Sequence, residues 1–334
     1  MKSQLPVCLL AAVCSLHAGE ALAGAGATFP SLLYQKWIAA FQEKFPGMAI
    51  TYRAIGSGAG AEALHKGEVD FAASDAPLSD EELANFSGKI RHIPTTVGGV
   101  VLVYHLEGQV RDLRFTPEIL AGIYLGKIKR WNHPLLKAAN RDAMLPARDI
   151  VVVHRADRSG TTYIWTDYLS KISAEWKSAV GAATEVRWPT GIAAEYNEGI
   201  AELVAKTPDS IGYVEFIYAL QSHLGYGAVR NASGRFVQAD LASLAAAAAT
   251  FQPAPKGDLR CSITNASGRN AYPIAAFTYF LIPDRFADPT KAQIMNTFLR
   301  WILASGQKQS ASLGFVALPD TVAKQAMESI EGPR

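Results

Sequence analysis

His154-Arg155-Ala156-Asp157-Arg158-Ser159-Gly160-Thr161-Thr162 follows the apolar run Ile150-Val151-Val152-Val153 and precedes Tyr163-Ile164-Trp165-Thr166-Asp167-Tyr168-Leu169. The order is strand, tight polar turn, helix. A helix N-terminus presents unpaired backbone N–H groups and a partial positive charge to whatever sits before it. Gly160 permits close backbone approach, and Ser159, Thr161 and Thr162 add hydroxyls. Arg155 carries a planar fork suited to carboxylate or phosphate oxygens, and Asp157 is placed to hold that fork. Two readings stand at this point. The stretch is an anion cradle, or it is an ordinary helix cap with Arg155 on the surface.

The chain has 334 residues, is 49% hydrophobic and carries a formal net charge of +2. No strong overall field draws nucleic acid or membrane, so any anion preference comes from a local site. The start reads as an export leader. Lys2 is basic, Leu5 to Leu16 is mostly apolar, and Ala21-Leu22-Ala23 offers a small-x-small cut. Cleavage after Ala23 is expected, giving residues 1–23 as leader. Cys8 and Cys14 each follow Val, which argues against a lipoprotein signal. Of the three cysteines only Cys261 lies beyond the leader, so an intramolecular disulfide is excluded in the expected mature chain. No later stretch is long and apolar enough for a membrane span.

Gly24-Ala25-Gly26-Ala27-Thr28-Phe29-Pro30 reads as a loop entering a helix marked by Tyr34, Trp37, Ile38 and Phe41. Met48 to Ile55 reads as a strand, followed by Gly56-Ser57-Gly58-Ala59-Gly60 and a helix from Ala61 to Lys66. The glycine spacing fits neither a dinucleotide loop nor a Walker A loop. What remains is a nest of backbone N–H groups with one hydroxyl, Ser57. Val69 to Ser79 is a strand running into a turn. It places Asp75 at the carboxyl end of the strand, the edge where open α/β sheets bind ligands. Thr116-Pro117-Glu118 starts a helix. Gly126 to Trp131 is basic with one aromatic, and reads as a solvated loop rather than a nucleic-acid site. Val186-Arg187-Trp188-Pro189 reads as the end of a strand. Helices are expected over 174–180, from Tyr196 to Lys206, over 216–222, over 241–250 and over 291–304. A last helix is expected to end near Ile330. Ser210 to Glu215 reads as a strand and 252–270 as a long loop. Two apolar runs, 97–104 and 274–282, are candidate crossovers between domains. The seven histidines do not cluster at ligand spacing, and no nucleophile elbow occurs.

Three motifs then stand together: Gly-Ala-Gly-Ala-Thr-Phe-Pro at 24–30, Gly-Ser-Gly-Ala-Gly at 56–60 with Ala-Ser-Asp-Ala-Pro-Leu-Ser at 73–79, and Arg-Ala-Asp-Arg-Ser-Gly-Thr-Thr at 155–162. Their order and spacing resemble the periplasmic phosphate-binding proteins of phosphate ABC transporters. Tyr124 to Trp131, Ile211 to Glu215 and Ala317 to Asp320 extend the likeness over essentially the whole mature chain. The resemblance implies an α/β fold of the two-domain periplasmic-binding-protein type. Each domain is a central mixed sheet flanked by helices, with ligand in the interdomain cleft. Domain I would be 24–105 plus 270–334, and domain II 106–269. The resemblance also implies phosphate contacts from Ala27, Thr28, Phe29, Ser57, Asp75, Arg155, Ser159, Gly160 and Thr161, with Asp157 steadying Arg155. The implied partners are inorganic phosphate and the membrane permease subunits. No metal, no cofactor, no nucleic acid and no enzymatic activity are expected, and the implied state is a soluble periplasmic monomer. One departure stands out: relatives usually carry Gly where this chain has Arg158.

Asp75 as proton acceptor has a direct physical meaning. Phosphate near neutral pH retains a proton and can donate a hydrogen bond through it to a carboxylate. Sulfate has none and would meet Asp75 as a repelling, unpaired charge. Mismatch of that kind discriminates by ~10⁴ or more. Two alternatives remain: a protein for another oxyanion such as sulfate, molybdate or tungstate, and a secreted phosphoesterase using Asp75 and Arg155.

Overall fold

The computed structural model describes residues 21–108, 110, 112–251 and 258–331. Most of the expected leader therefore lies outside the described residues. Strands in chain order are β1 (Leu22–Gly26), β2 (Ile50–Ala54), β3 (Phe71–Ser74), β4 (Ile90–His105), β5 (Arg114–Phe115), β6 (Val151–Arg155), β7 (Ile192–Ala194), β8 (Ser210–Glu215), β9 (Gly225–Tyr226), β10 (Ala228–Arg230), β11 (Phe236–Val237) and β12 (Ala275–Pro283).

The main sheet runs β2-β1-β3-β12-β4-β8-β6-β7, with β9 also on β4. A small sheet, β11-β10-β5, lies off it. The long strand β4 serves both halves. From Ile90 to Gly99 it pairs antiparallel with β12, and from Val100 to His105 it pairs antiparallel with β8. The partner changes within Val-Gly-Gly-Val, the run expected to cross between domains. The second run expected to cross, 274–282, forms β12, which pairs with β3 and with the first half of β4. Two α/β lobes thus share one strand. In the first, β1, β2 and β3 are parallel; in the second, β6, β7 and β8 are parallel. Every residue of β3 and β8 is buried, and β4 is buried from His92 to Tyr104. Helices on both faces account for these continuous apolar runs.

The first glycine stretch differs from its expected form. Leu22–Gly26 is a buried strand, not a loop, and the loop is confined to Ala27–Pro30. Glycine here reflects close packing rather than a turn. A Cβ on Gly24 would meet the Phe71 ring at 2.2 Å, and one on Gly26 would meet Ala73 O at 2.1 Å. Leu22 and Ala23, upstream of the expected cut, both belong to β1. Val186–Pro189 forms no strand; the strand lies just beyond it at β7. Trp188 instead stacks on His154, with ring centroids 4.8 Å apart. Pro189 has no N–H for a ladder, which moves the pairing to the next segment. The other expected helices form, and residues 258–270 carry no regular element.

Candidate functional site

Six turns meet where the two lobes face each other. Each follows the carboxyl end of a strand: β1, β2 and β3 in the first lobe, β6, β7 and β8 in the second. This is the edge at which α/β sheets gather backbone N–H donors.

The turn after β6 combines both readings of its sequence. Ser159 caps the helix Gly160–Ile172, its Oγ accepting from Thr162 N–H at 3.1 Å. The Ser159 N–H donates to Thr184 O at 2.8 Å. The N–H groups of Gly160 and Thr161 come first in the helix and have no intrahelical acceptor. Arg155 is not on the surface. It is 3% exposed and held as a fork by Asp157: Nε donates to Oδ1 at 2.7 Å and Nη2 to Oδ2 at 2.5 Å. Its third nitrogen, Nη1, is buried without a hydrogen-bond partner among the described residues. A buried guanidinium N–H left open in this way is costly unless an acceptor arrives.

Opposite stands the turn after β1. Tyr52 Oη donates to Ala27 O at 2.7 Å, and Tyr218 Oη donates to Thr28 O at 2.8 Å. Phe29 is buried against Phe315. These contacts tie down the carbonyls and leave the Thr28 hydroxyl at the cleft. Ser57 is the first residue of the helix Ser57–His65, after Gly56. The helix therefore starts four residues earlier than the sequence suggests, which places Ser57 in its first turn.

Asp75 follows β3 and is 2% exposed. Thr278 Oγ1 donates to its Oδ1 at 2.7 Å, and Ser57 Oγ lies 3.3 Å from its Oδ2. Burial pushes its carboxyl up to about 7, against the opposing pull of Thr278, Ser57 and the Arg155 charge. Gly160 approaches this pair closely: a Cβ there would stand 2.3 Å from Ser57 Oγ and 2.5 Å from Asp75 Oδ2.

Three contributors escaped sequence reasoning. Asn197, in the helix Tyr196–Lys206, is fully buried and bonds to Thr28 and Thr161. Tyr218 reaches Thr28 and Ser31 from the helix after β8. Glu215, at the end of β8, is fully buried, with Oε2 accepting from Ile217 N–H at 2.8 Å. Burial pushes its carboxyl well above the usual range. Their positions depend on β7 and β8 lying beside β6, so no local sequence signal marks them.

Arg158 also crosses the cleft. Its carbonyl accepts from Gly58 N–H at 3.0 Å, and its Nη1 pairs with Glu62 Oε2 at 3.1 Å. Both side chains of that pair are 47% exposed. Among the described residues no three His, Cys, Asp or Glu side chains are grouped so as to hold a metal ion.

The convergent donors, with the buried Asp75 carboxylate among them, suit a small anion that retains a proton. Residues 15–305 match the family model described as a PBP superfamily domain. The chain is 41% identical to the phosphate-binding protein PstS of Xylella fastidiosa strain Temecula1, over 91% of this chain and 83% of that one. It is 40% identical to the PstS of Pasteurella multocida strain Pm70, over 91% and 88%. Its fold is similar to the solved phosphate-binding protein from Stenotrophomonas maltophilia, with a TM-score of 0.72 at 21% identity, over 92% and 93%. The chain therefore belongs to the PstS phosphate-binding protein family, within the PBP superfamily.

Proposed function

We propose that this protein binds inorganic phosphate between its lobes and hands it to the permease of an ABC transporter. Asp75 carries the proposal. It is a buried carboxylate set among hydroxyl, backbone N–H and guanidinium donors. Phosphate is held by the hydroxyl and N–H of Thr28, the N–H of Phe29, Ser57, Arg155 Nη1, the Ser159 hydroxyl, and the N–H groups of Gly160 and Thr161. Ala27 shapes the turn beside them, and Asp157 orients Arg155. A donor set of this kind, at ~1.5–3 kcal/mol for each charge-assisted bond, is ample for micromolar affinity without a metal.

The same acceptor disfavours sulfate, molybdate and tungstate, which bring no proton for it. Binding rather than catalysis fits the set, because the relatives that match over most of the chain are phosphate-binding proteins. Export by a cleaved leader and a periplasmic location fit the apolar start of the sequence. The proposed domains are 24–105 plus 270–334 and 106–269, the first extended to Leu22 because β1 begins there; the change of partner along β4 lies close to the first crossing. Calorimetric titration of the exported protein with phosphate, sulfate and molybdate tests the proposal. Saturable heat with phosphate alone is expected. Saturation by sulfate or molybdate with none by phosphate overturns it.

A further inference from the structure

Asn197 is 0% exposed, and its two side-chain ends are chemically fixed. Glu215 N–H lies 3.0 Å from one of them and can only donate, so that end is Oδ1. The NH2 end therefore faces the threonines, 2.9 Å from Thr28 Oγ1 and 3.3 Å from Thr161 Oγ1. One NH2 group carries two hydrogens, enough for one bond to each. Each hydroxyl thus accepts from Asn197, and its own hydrogen is left for another acceptor. Thr28 belongs to the first lobe and Thr161 to the second, and both flank the cleft.

We propose that Asn197 is a positioning residue that turns the Thr28 and Thr161 hydroxyls into donors aimed at the anion, and that it does so only when the lobes are together. The inference rests on the phosphate reading above. It adds a direction to the hydrogen bonds: a hydroxyl that accepts from an amide on one side is a donor on the other. It also gives the closed form a single bridging group with all three polar positions used. The local backbone supports that placement. Tyr196 lies in the left-handed region at φ 62°, a conformation a tyrosine adopts only under constraint. Its N–H donates to Asp157 Oδ1 at 3.0 Å. The carboxylate that holds the Arg155 fork thereby also holds the turn that presents Asn197.

An alternative role is packing alone, since Asn197 stands in the first turn of its helix. Substitution separates the two. In Asn197→Asp the carboxylate has no hydrogen to give, so both hydroxyls donate to it and turn away from phosphate. In Asn197→Ala they turn freely. Polarity setting predicts that Asn197→Asp binds phosphate more weakly than Asn197→Ala, although Asp is the closer match in shape. Packing predicts the reverse order, which would overturn the proposal.

Added charge alone would also weaken Asn197→Asp, and a second cycle removes that ambiguity. Thr161→Val should cost about tenfold in phosphate affinity in the natural chain. In the Asn197→Asp background it should cost less than about twofold, because that hydroxyl no longer reaches phosphate. An equal cost in both backgrounds would overturn the proposal. Phosphorus-31 NMR titration extends the measurement to millimolar affinities, and circular dichroism confirms that each variant is folded. If the natural chain itself fails to bind phosphate, the fault lies with the functional reading and not with Asn197.

Discussion

Gly160 of the second lobe faces Asp75 of the first so closely that a Cβ on Gly160 would stand 2.5 Å from the Asp75 carboxylate. The contact is between opposite jaws, so one added methyl acts as a wedge. Relief by separating the lobes opens the site to water. Overpacking of this kind costs ~1–3 kcal/mol. Gly160→Ala should therefore weaken phosphate binding by about tenfold or more. The position is the first residue of a helix, where Ala is well tolerated. The melting temperature of ligand-free protein should hold, while the rise produced by added phosphate shrinks. Melting curves with and without phosphate check both parts.

Arg158 and Glu62 form a pair across the mouth of the cleft, reinforced by the bond from Gly58 N–H to the Arg158 carbonyl. Exposed pairs contribute ~0.2–1 kcal/mol and weaken with salt. As a clasp, the pair should slow release. Arg158→Ala and Glu62→Gln should each speed phosphate dissociation by about two- to fivefold at low salt, with the difference closing in concentrated salt. Stopped-flow release checks this. If Arg158 instead attracts the anion, Arg158→Ala slows association and Glu62→Gln does not speed dissociation.

The buried acids make the ligand-free protein sensitive to pH. Burial raises Asp75 to about 7, whereas an unfolded aspartate titrates near ~3.9. Between those values the folded state holds the extra proton. Stability is therefore fully present below about 4, falls as pH rises towards about 7, and levels off above it. Glu215 acts in the same direction. Urea unfolding of ligand-free protein from pH 4 to 8 should show this decline, by on the order of a few kcal/mol. Asp75→Asn should remove part of it.

Processing is expected to leave β1 whole. Leu22 is fully buried and its N–H donates to Ala49 O at 2.9 Å. Ala23 N–H donates to Asp70 Oδ2 at 2.8 Å, and Asp70 N–H returns a bond to Ala23 O at 2.7 Å. A cut after Ala23 would remove all three. Gly19-Glu20-Ala21 offers a second small-x-small sequence just upstream. N-terminal sequencing of the exported protein should therefore begin at or before Leu22. A start at Gly24 would contradict this.

The parts of the site that lay in one short segment were readable in the sequence. Arg155, Asp157 and Ser159 follow an apolar strand and open a helix, and Asp75 ends another strand. Local spacing alone left the first group divided between cap and cradle. The structure joins the two, because Ser159 caps while Arg155 turns inward. Glycine misled at β1, where small residues answer the close approach of Phe71 and Ala73 and make no turn. Asn197, Tyr218 and Glu215 were not readable at all. Their place depends on the order of β6, β7 and β8 across the sheet, which no window of sequence contains.

Discrimination at Asp75 is the most direct test. Phosphate and sulfate are titrated by calorimetry at pH 8 into the natural chain and into Asp75→Asn, whose amide can donate to sulfate. Phosphate binding predicts tight binding of phosphate and no measurable binding of sulfate in the natural chain, with the gap narrowing to within about tenfold in the variant. Equal affinity for both anions in the natural chain, or undiminished discrimination in Asp75→Asn, would contradict it.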